Sequence, residues 1–249
     1  MSEFTAPTSR FSRNNAPVPS PNSHLPSPNP FAVVFDFDGL IVDSETPEFE
    51  AHRQIFAEHG VELTAEEWRG EVGIWSATRN WFTKLGEIIG RPVDTVALRE
   101  EKRRRFWQVI KMEPLPGVRA LLDELHAAAV PLALASSSEA WWINRATAQL
   151  DVTRYFRAIV TGDDVTHRKP HPEGYLVAAH RLGVAPARCV AIEDSQFGLA
   201  AAKAAGMKAV AIPNWLTAEH DLDAADLRVT DATELSAAIL AQLADGRRS

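Results

Sequence analysis

The sequence predicts an α/β fold in which a doubly wound parallel sheet carries helices on both faces and one all-helical insertion. From Val118 onwards, helical stretches alternate with short apolar strands, which indicates parallel strands joined by right-handed crossovers. Between Pro47 and about Met112, apolar residues follow helical spacing and no strand pattern appears. The expected boundaries are 31–44 and 115–249 for the core, and 45–114 for the helical insertion, called the cap below.

Residues 1–30 differ in composition from the rest of the chain. Seven prolines stand there among Ser, Asn and Thr, and aliphatic residues are almost absent. Such a segment cannot bury enough apolar surface to offset its ordering entropy, and it has no apolar stretch typical of a secretory signal. We therefore predict a disordered tail.

Composition excludes several classes of protein. The 249 residues are 45% hydrophobic, which is enough for a core domain and a smaller one. A net charge of -7 argues against a nucleic-acid binder, and one cysteine, Cys189, excludes an intrachain disulfide or a cysteine zinc site. No apolar run approaches a membrane span. We expect a cytoplasmic monomer or dimer that binds neither nucleic acid nor membranes.

The first core strand ends in two acidic residues. The apolar run 31–35 is followed by Asp36, Asp38 and Gly39. Two carboxylates where a buried strand stops are costly unless a cation or a reaction requires them. An ordinary acidic turn is the alternative interpretation, because Asp and Gly are common in turns.

The cap pattern predicts four helices. The first carries Phe49, His52, Ile55 and Phe56 on one face and ends near Gly60. The others are expected at about 64–71, 76–89 and 93–111.

The core pattern then continues to the end of the chain. Helices are predicted at 117–129, 139–149, 173–182, 196–205 and 233–243, and strands at 131–135, 156–160, 189–192, 208–212 and, as a small edge strand, 228–229.

Polar residues follow three further strands. Ser136 and Ser137 stand before a helix, where hydroxyls and backbone amides bind anions, although an ordinary helix cap is the alternative. Lys169 precedes two prolines that stiffen its loop, and Glu193 and Asp194 end the fourth core strand. Ligands bind at the carboxyl ends of parallel strands, so these groups are expected to meet.

The four carboxylates Asp36, Asp38, Glu193 and Asp194 would repel one another without a cation. All-oxygen ligation favours Mg²⁺. Lys169 and Ser136 could then hold a phosphate, Asp36 could attack phosphorus to give an aspartyl-phosphate, and Asp38 could act as general acid and base.

These motifs resemble those of the haloacid dehalogenase superfamily, in the branch with a small helical cap. Asp36-x-Asp38, Ser136, Lys169 and Glu193-Asp194 occur in the order of its four motifs, over about residues 31–245. The resemblance implies a Rossmann-like core with Asp36 as nucleophile and Asp38 as acid and base. It also implies Mg²⁺ ligation by Asp36, the backbone carbonyl of Asp38, and Asp194, with Glu193 in support.

The branch within the family depends on the cap. Asp38 argues against a dehalogenase, and the motifs are similar to those of β-phosphoglucomutases and phosphoglycolate phosphatase-like proteins. The mutases have a cap histidine where this chain has Glu48, with His52 one turn further on, and their cap arginine has no clear match. We therefore expect a phosphatase for a small phosphorylated metabolite, with a mutase or a non-catalytic phosphate-binding protein as alternatives.

Substrate contacts are expected from Ser136, Ser137, Lys169, Glu48 and Trp75. Trp81, Trp141 and Trp142 could line the site, but core packing explains most tryptophans. His167 and His171, beside prolines, are interpreted as surface residues rather than metal ligands.

Overall fold

Short apolar segments of the chain form a six-stranded parallel sheet in the computed structural model, which describes residues 31–69 and 81–246. The strands are β1 (Ala32–Phe35), β2 (Leu132–Ala135), β3 (Ala158–Val160), β4 (Cys189–Glu193), β5 (Lys208–Ala211) and β6 (Leu227–Arg228). Every residue of β1, β2 and β4 is buried, as expected for strands covered on both faces. This confirms the predicted fold class.

The strand order is β3-β2-β1-β4-β5-β6. The strands β2 and β3 are therefore added on one side of β1, and β4, β5 and β6 are added on the other side. Phe35 lies opposite Leu134 on one side and Ile192 on the other. The residues that follow these three positions therefore emerge at one edge of the sheet. Such a change of side opens a crevice outside the carboxyl ends of the strands, where ligands bind.

The described part of the cap is built from four helices that lie between β1 and β2 in the chain. They are α1 (Glu45–Glu58), α2 (Ala65–Arg69), α3 (Trp81–Ile88) and α4 (Thr95–Val109). The apolar face predicted for α1 packs into a separate core with Trp68, Phe82 and Leu85. Leu216, which follows β5, is fully buried in this same cluster. Leu216 therefore packs the segment that follows β5 against the cap helices.

The core helices cover both faces of the sheet. They are α5 (Val118–Ala127), α6 (Ala140–Gln149), α7 (Glu173–Leu182), α8 (Gln196–Ala204) and α9 (Ala237–Ala244). Leu122, Ile143 and Leu240 pack on one face, and Tyr175 and Leu199 pack on the other. Within the part of the chain that is described, no helix is long and apolar enough to cross a bilayer.

Two predicted helix boundaries are wrong at their amino-terminal ends. The last helix begins at Ala237 instead of 233, because Ser236 caps it and a separate 3₁₀ turn covers Ala232–Glu234. The fourth cap helix begins at Thr95 instead of 93, because the Asp94 carboxylate accepts hydrogen bonds from the amides of residues 96 and 97. The predicted tail, the start of the third cap helix and Trp75 lie outside the described residues.

Candidate active site

The end of β1 places Asp36 in the crevice, where it is 7% exposed. Its backbone amide continues the sheet by donating to the Ile192 carbonyl over 3.0 Å. Carboxylate oxygens of Asp36, Glu193 and Asp194 all lie within 4.8 Å of one another. Three of the four carboxylates expected to converge therefore do so, whereas the carboxylate of Asp38 is not in this group.

Asp38 turns its carboxylate towards a separate set of donors. Oδ1 accepts from Ser44 Oγ at 2.7 Å and from Trp142 Nε1 at 2.8 Å. Oδ2 accepts from Ser138 Oγ at 2.6 Å and from Ser136 Oγ at 3.3 Å. Ser44, Ser138 and Trp142 were not foreseen as partners, and Trp142 has a polar role besides packing.

Ser136 and Ser137, which follow β2, differ in their hydrogen bonds. Ser136 Oγ accepts from the Ser138 amide at 2.9 Å, so this hydroxyl helps to shape the turn. The Ser137 hydroxyl is buried and has no hydrogen-bond partner among the residues described. The substrate-binding role expected of Ser137 stays a prediction.

Lys169 lies between two of the acids. Its Nζ donates to Asp36 Oδ1 and, over 2.6 Å, to Glu193 Oε1. Burial lowers the pKa of Lys169, but the Asp36 and Glu193 carboxylates more than offset this effect and raise it, so the side chain is an ammonium. Tyr175, which the sequence did not single out, donates its hydroxyl to the same Glu193 oxygen.

Negative charge exceeds positive charge in the crevice. Burial raises the pKa of Asp36 to about 7, with Lys169 opposing this shift and Glu193 adding to it. Burial, and then Asp36 and Glu193, raise the pKa of Asp194 well above its usual range. One ammonium thus faces three buried carboxylates, and a divalent cation would supply the missing positive charge.

The donors present fit Mg²⁺. Glu193 Oε2 is buried and has no hydrogen-bond partner in the described part of the chain, which leaves an oxygen available for a cation. Asp36, Glu193 and Asp194 offer oxygen only, as a hard cation prefers. These three side chains could therefore hold the metal, while the ligand role implied for the Asp38 carbonyl stays a prediction.

Two glycines and an asparagine shape this group of acids. Gly39 has φ +75°, and a Cβ there would lie 2.6 Å from Asp194 Oδ2. At Gly198, a Cβ would lie 1.9 Å from the Glu193 carboxyl carbon. Asn214, just after β5, donates to Asp194 Oδ2 over 2.8 Å and to the Gly39 carbonyl over 3.2 Å. Asn214 follows β5 at the edge of the sheet where Asp36 and Asp194 lie, and this position in the sequence is the feature that could have predicted its contact with Asp194.

The cap presents Glu48 and buries His52. Glu48 Oε1 accepts from Lys102 Nζ at 2.6 Å. Burial opposes ionisation of Glu48, but Lys102 and His52 hold its pKa below the usual value. The His52 ring stacks on Phe82, with 5.1 Å between ring centroids, and its Nδ1 donates to the Glu48 carbonyl. His52 therefore belongs to the cap core.

The two adjacent tryptophans that follow the Ser136 motif, Trp141 and Trp142, differ in burial. Trp142 is buried and packs against Phe106 and Trp107 of the cap, with ring centroids 5.4 and 5.7 Å away. Trp141 is half exposed. Trp81 stacks on Trp68 inside the cap, which confirms core packing for that residue. Trp142 thus joins the cap to the Asp38 carboxylate.

Comparison with known proteins places these features in a family. The model of the haloacid dehalogenase-like hydrolase family matches residues 33–212. YhcW of Bacillus subtilis (strain 168) is 40% identical over 210 residues, covering 84% of this chain and 95% of that protein. The phosphorylated carbohydrates phosphatase of Thermotoga maritima is 36% identical over 183 residues, covering 72% of this chain and 83% of that one.

A solved structure agrees with these sequence matches. The HAD family hydrolase from Deinococcus radiodurans R1, crystallised with bound phosphate and sodium, has a TM-score of 0.69 and 29% identity, and the match covers 86% of this chain and 97% of that chain. The matched family model spans most of the chain and includes Asp36, Lys169 and Asp194. The chain therefore belongs to the haloacid dehalogenase-like hydrolase family.

Proposed function

We propose that the chain is a Mg²⁺-dependent phosphatase that hydrolyses a small phosphorylated metabolite, and that sugar phosphates are its preferred class. The observation that carries this proposal is the contact between Asp36, at the end of the central strand, and the Lys169 ammonium beside two further buried acids. Phosphoryl transfer depends mainly on positioning and charge neutralisation, and these side chains provide both. The name of the Thermotoga relative supports the substrate class.

The proposed reaction has two displacements at phosphorus. A carboxylate oxygen of Asp36 attacks, the bond from phosphorus to the metabolite oxygen breaks, and an aspartyl-phosphate forms. In this step Asp38 acts in its protonated form and gives the proton to the departing oxygen. A water then attacks the same phosphorus, Asp38 takes the proton from this water, and phosphate leaves with Asp36 restored. Mg²⁺, when bound, neutralises charge on the phosphoryl oxygens.

The remaining residues position these groups. Lys169 stays protonated and holds Asp36 Oδ1, which leaves Oδ2 to attack. Asp38 exchanges at least one of its contacts, to Ser44, Ser138 or Trp142, when it transfers a proton to the substrate oxygen. Because Trp142 also packs on the cap, movement of the cap is a physical route to that exchange.

The burial of His52 argues against the mutase alternative. That alternative needs a cap residue in place of the missing histidine, and His52 is the candidate that the sequence offers. His52 is 5% exposed and packs between aromatic rings of the cap. We therefore retain hydrolysis as the proposed reaction.

The cap carboxylates favour a polyhydroxy substrate over a carboxylate-bearing one. Burial raises the pKa of Glu45 to about 8, and Asp38 and Glu48 add to this effect, so the surroundings of Glu45 already disfavour negative charge. The carboxylate of phosphoglycolate would add another negative charge there. The hydroxyls of a sugar phosphate can instead hydrogen-bond to Glu45 and Glu48.

A substrate panel tests the proposed function. We expect kcat/KM for the best sugar or hexitol phosphate to exceed that for phosphoglycolate by about tenfold or more, equivalent to about 1.4 kcal/mol. Phosphate release would be measured with excess Mg²⁺ and, in parallel, after chelation. Preference for phosphoglycolate would contradict the substrate class, and isomerised sugar phosphate without phosphate release would restore the mutase alternative.

Glu48→His is expected to alter substrate preference more than chemistry. The change removes the acceptor for Lys102, so the sugar side of the site is rearranged while Asp36 and Lys169 keep their contacts. We expect hydrolysis of p-nitrophenyl phosphate to stay within about tenfold of the wild type, or about 1.4 kcal/mol. The ranking of the panel should change.

Glu50→Gln, on the same helix and bonded to Arg53, is the matched control and should leave both assays unchanged. If Glu48→His lowers p-nitrophenyl phosphate hydrolysis by several orders of magnitude, Glu48 belongs to the catalytic machinery and this division of roles is wrong.

A further inference from the structure

The loop that carries Lys169 brings two imidazoles and a carboxylate together on the protein surface. His167, His171 and Glu173 each offer a ligand atom, and these atoms lie within 4.8 Å of one another. The Nδ1 atoms of His167 and His171 lie 3.1 and 3.9 Å from the same oxygen, Glu173 Oε2. Both histidines are exposed, as expected from the sequence, but their grouping with Glu173 was not foreseen.

Backbone contacts hold the carboxylate of this group in place. Glu173 Oε1 accepts from the Thr166 amide and Oε2 accepts from the His167 amide, each at 2.9 Å. Contacts of this kind orient a metal ligand before the metal arrives. The amino terminus of α7 disfavours a cation nearby, and the negative charge of Glu173 in the first turn offsets this effect.

We propose that His167, His171 and Glu173 form a binding site for a transition metal of the Zn²⁺ type, separate from the candidate Mg²⁺ site. Two imidazoles and one carboxylate are a ligand set that Zn²⁺ favours and Mg²⁺ does not. Ligand atoms bound to one tetrahedral Zn²⁺ at about 2.0–2.1 Å are separated by about 3.3 Å. The separations of 3.1 and 3.9 Å bracket that value. A bound metal would replace the hydrogen bond between His167 Nδ1 and Glu173 Oε2, and the one that His171 Nδ1 accepts from the Glu173 amide over 3.3 Å.

The position of the site gives it a consequence for the loop. Lys169 lies midway in sequence between the two histidines, and its Nζ contacts Asp36. A metal that joins His167 to His171 restrains the backbone on both sides of Lys169. Three protein ligands leave further coordination positions to water, as the exposure of the group allows.

Calorimetric titration of the full chain with Zn²⁺, in excess Mg²⁺ that occupies the all-oxygen site, tests the proposal. We expect one Zn²⁺ to bind per chain, with affinity reduced at least tenfold in His167→Ala and in His171→Ala. His59→Ala, which removes a cap histidine outside the group, is the matched control and should bind as the wild type does. Circular dichroism verifies that each variant is folded.

A second measurement identifies the ligands directly. The electron paramagnetic resonance spectrum of bound Cu²⁺, under the same Mg²⁺ excess, should show nitrogen coupling that is reduced in each histidine variant. Absence of Zn²⁺ binding by the wild type, or unchanged binding by folded His171→Ala, would overturn the proposal. Neither result would bear on the proposed phosphatase activity, which depends on other side chains.

Discussion

Asp36→Asn is expected to reduce kcat for every phosphomonoester by about four orders of magnitude or more, equivalent to about 5 kcal/mol in barrier. The amide has nearly the same shape as the carboxylate but is a poor nucleophile, and the aspartyl-phosphate could not form. Glu193 also pairs with Lys169, but it accepts from Tyr175 as well and is fully buried, whereas Asp36 is 7% exposed to the crevice. The fold should persist, since Lys169 keeps its bond to Glu193.

Steady-state hydrolysis of a sugar phosphate and of p-nitrophenyl phosphate measures this effect. Asp43→Asn is a matched control, because Asp43 belongs to the same loop and uses one oxygen to accept from the Thr46 amide. The control should keep activity within about tenfold, or about 1.4 kcal/mol. Appreciable turnover by pure, folded Asp36→Asn would refute the nucleophile assignment.

Removal of divalent cations is expected to abolish activity, and Mg²⁺ should restore it. Without a cation, three buried carboxylates share one ammonium, and the charge on an incoming phosphate would add to their repulsion. Ca²⁺ should fail to restore turnover, because its larger and looser coordination misaligns the attacking oxygen. Full activity after exhaustive chelation would contradict the proposed role of the acids.

Stability provides a readout of the same site that is independent of turnover. At about one hundred times its Kd, Mg²⁺ should stabilise the fold by about 2.7 kcal/mol, which corresponds to a rise in Tm of about 5–10 °C. Asp194→Asn should weaken this effect more than Glu193→Gln does. Glu193 is already paired with Lys169 and Tyr175, whereas the Asp194 side chain accepts a hydrogen bond from neutral Asn214. An equal Mg²⁺ response in Asp194→Asn and the wild type would remove Asp194 from the ligand set.

The sequence by itself determined the fold class and the principal acids of the site. Short runs such as 31–35 and 189–192 are apolar throughout, so they must be buried on both faces, and a parallel sheet between helices satisfies that requirement. The carboxyl ends of such strands meet at one edge. The convergence of Asp36, Lys169 and Asp194 therefore followed from their positions after strands.

Tertiary structure alone decided which side chains surround those acids. Trp142, Tyr175 and Asn214 contact Asp38, Glu193 and Asp194 respectively. Trp142 and Asp38 are 104 residues apart in the chain, and no local pattern distinguishes an indole that packs from one that also donates a hydrogen bond. Periodicity reports which face of an element is buried, but the partner on that face depends on how helices pack across the sheet.

The same reason explains the two histidine outcomes. His52 was expected on the apolar face of α1, and only the packing of Trp68 and Phe82 around it shows that the ring is enclosed in the cap. His167 and His171 gain a shared carboxylate because the loop folds back on the first turn of α7. Chemistry of single residues can be read along the chain, whereas proximity between residues is a property of the folded backbone.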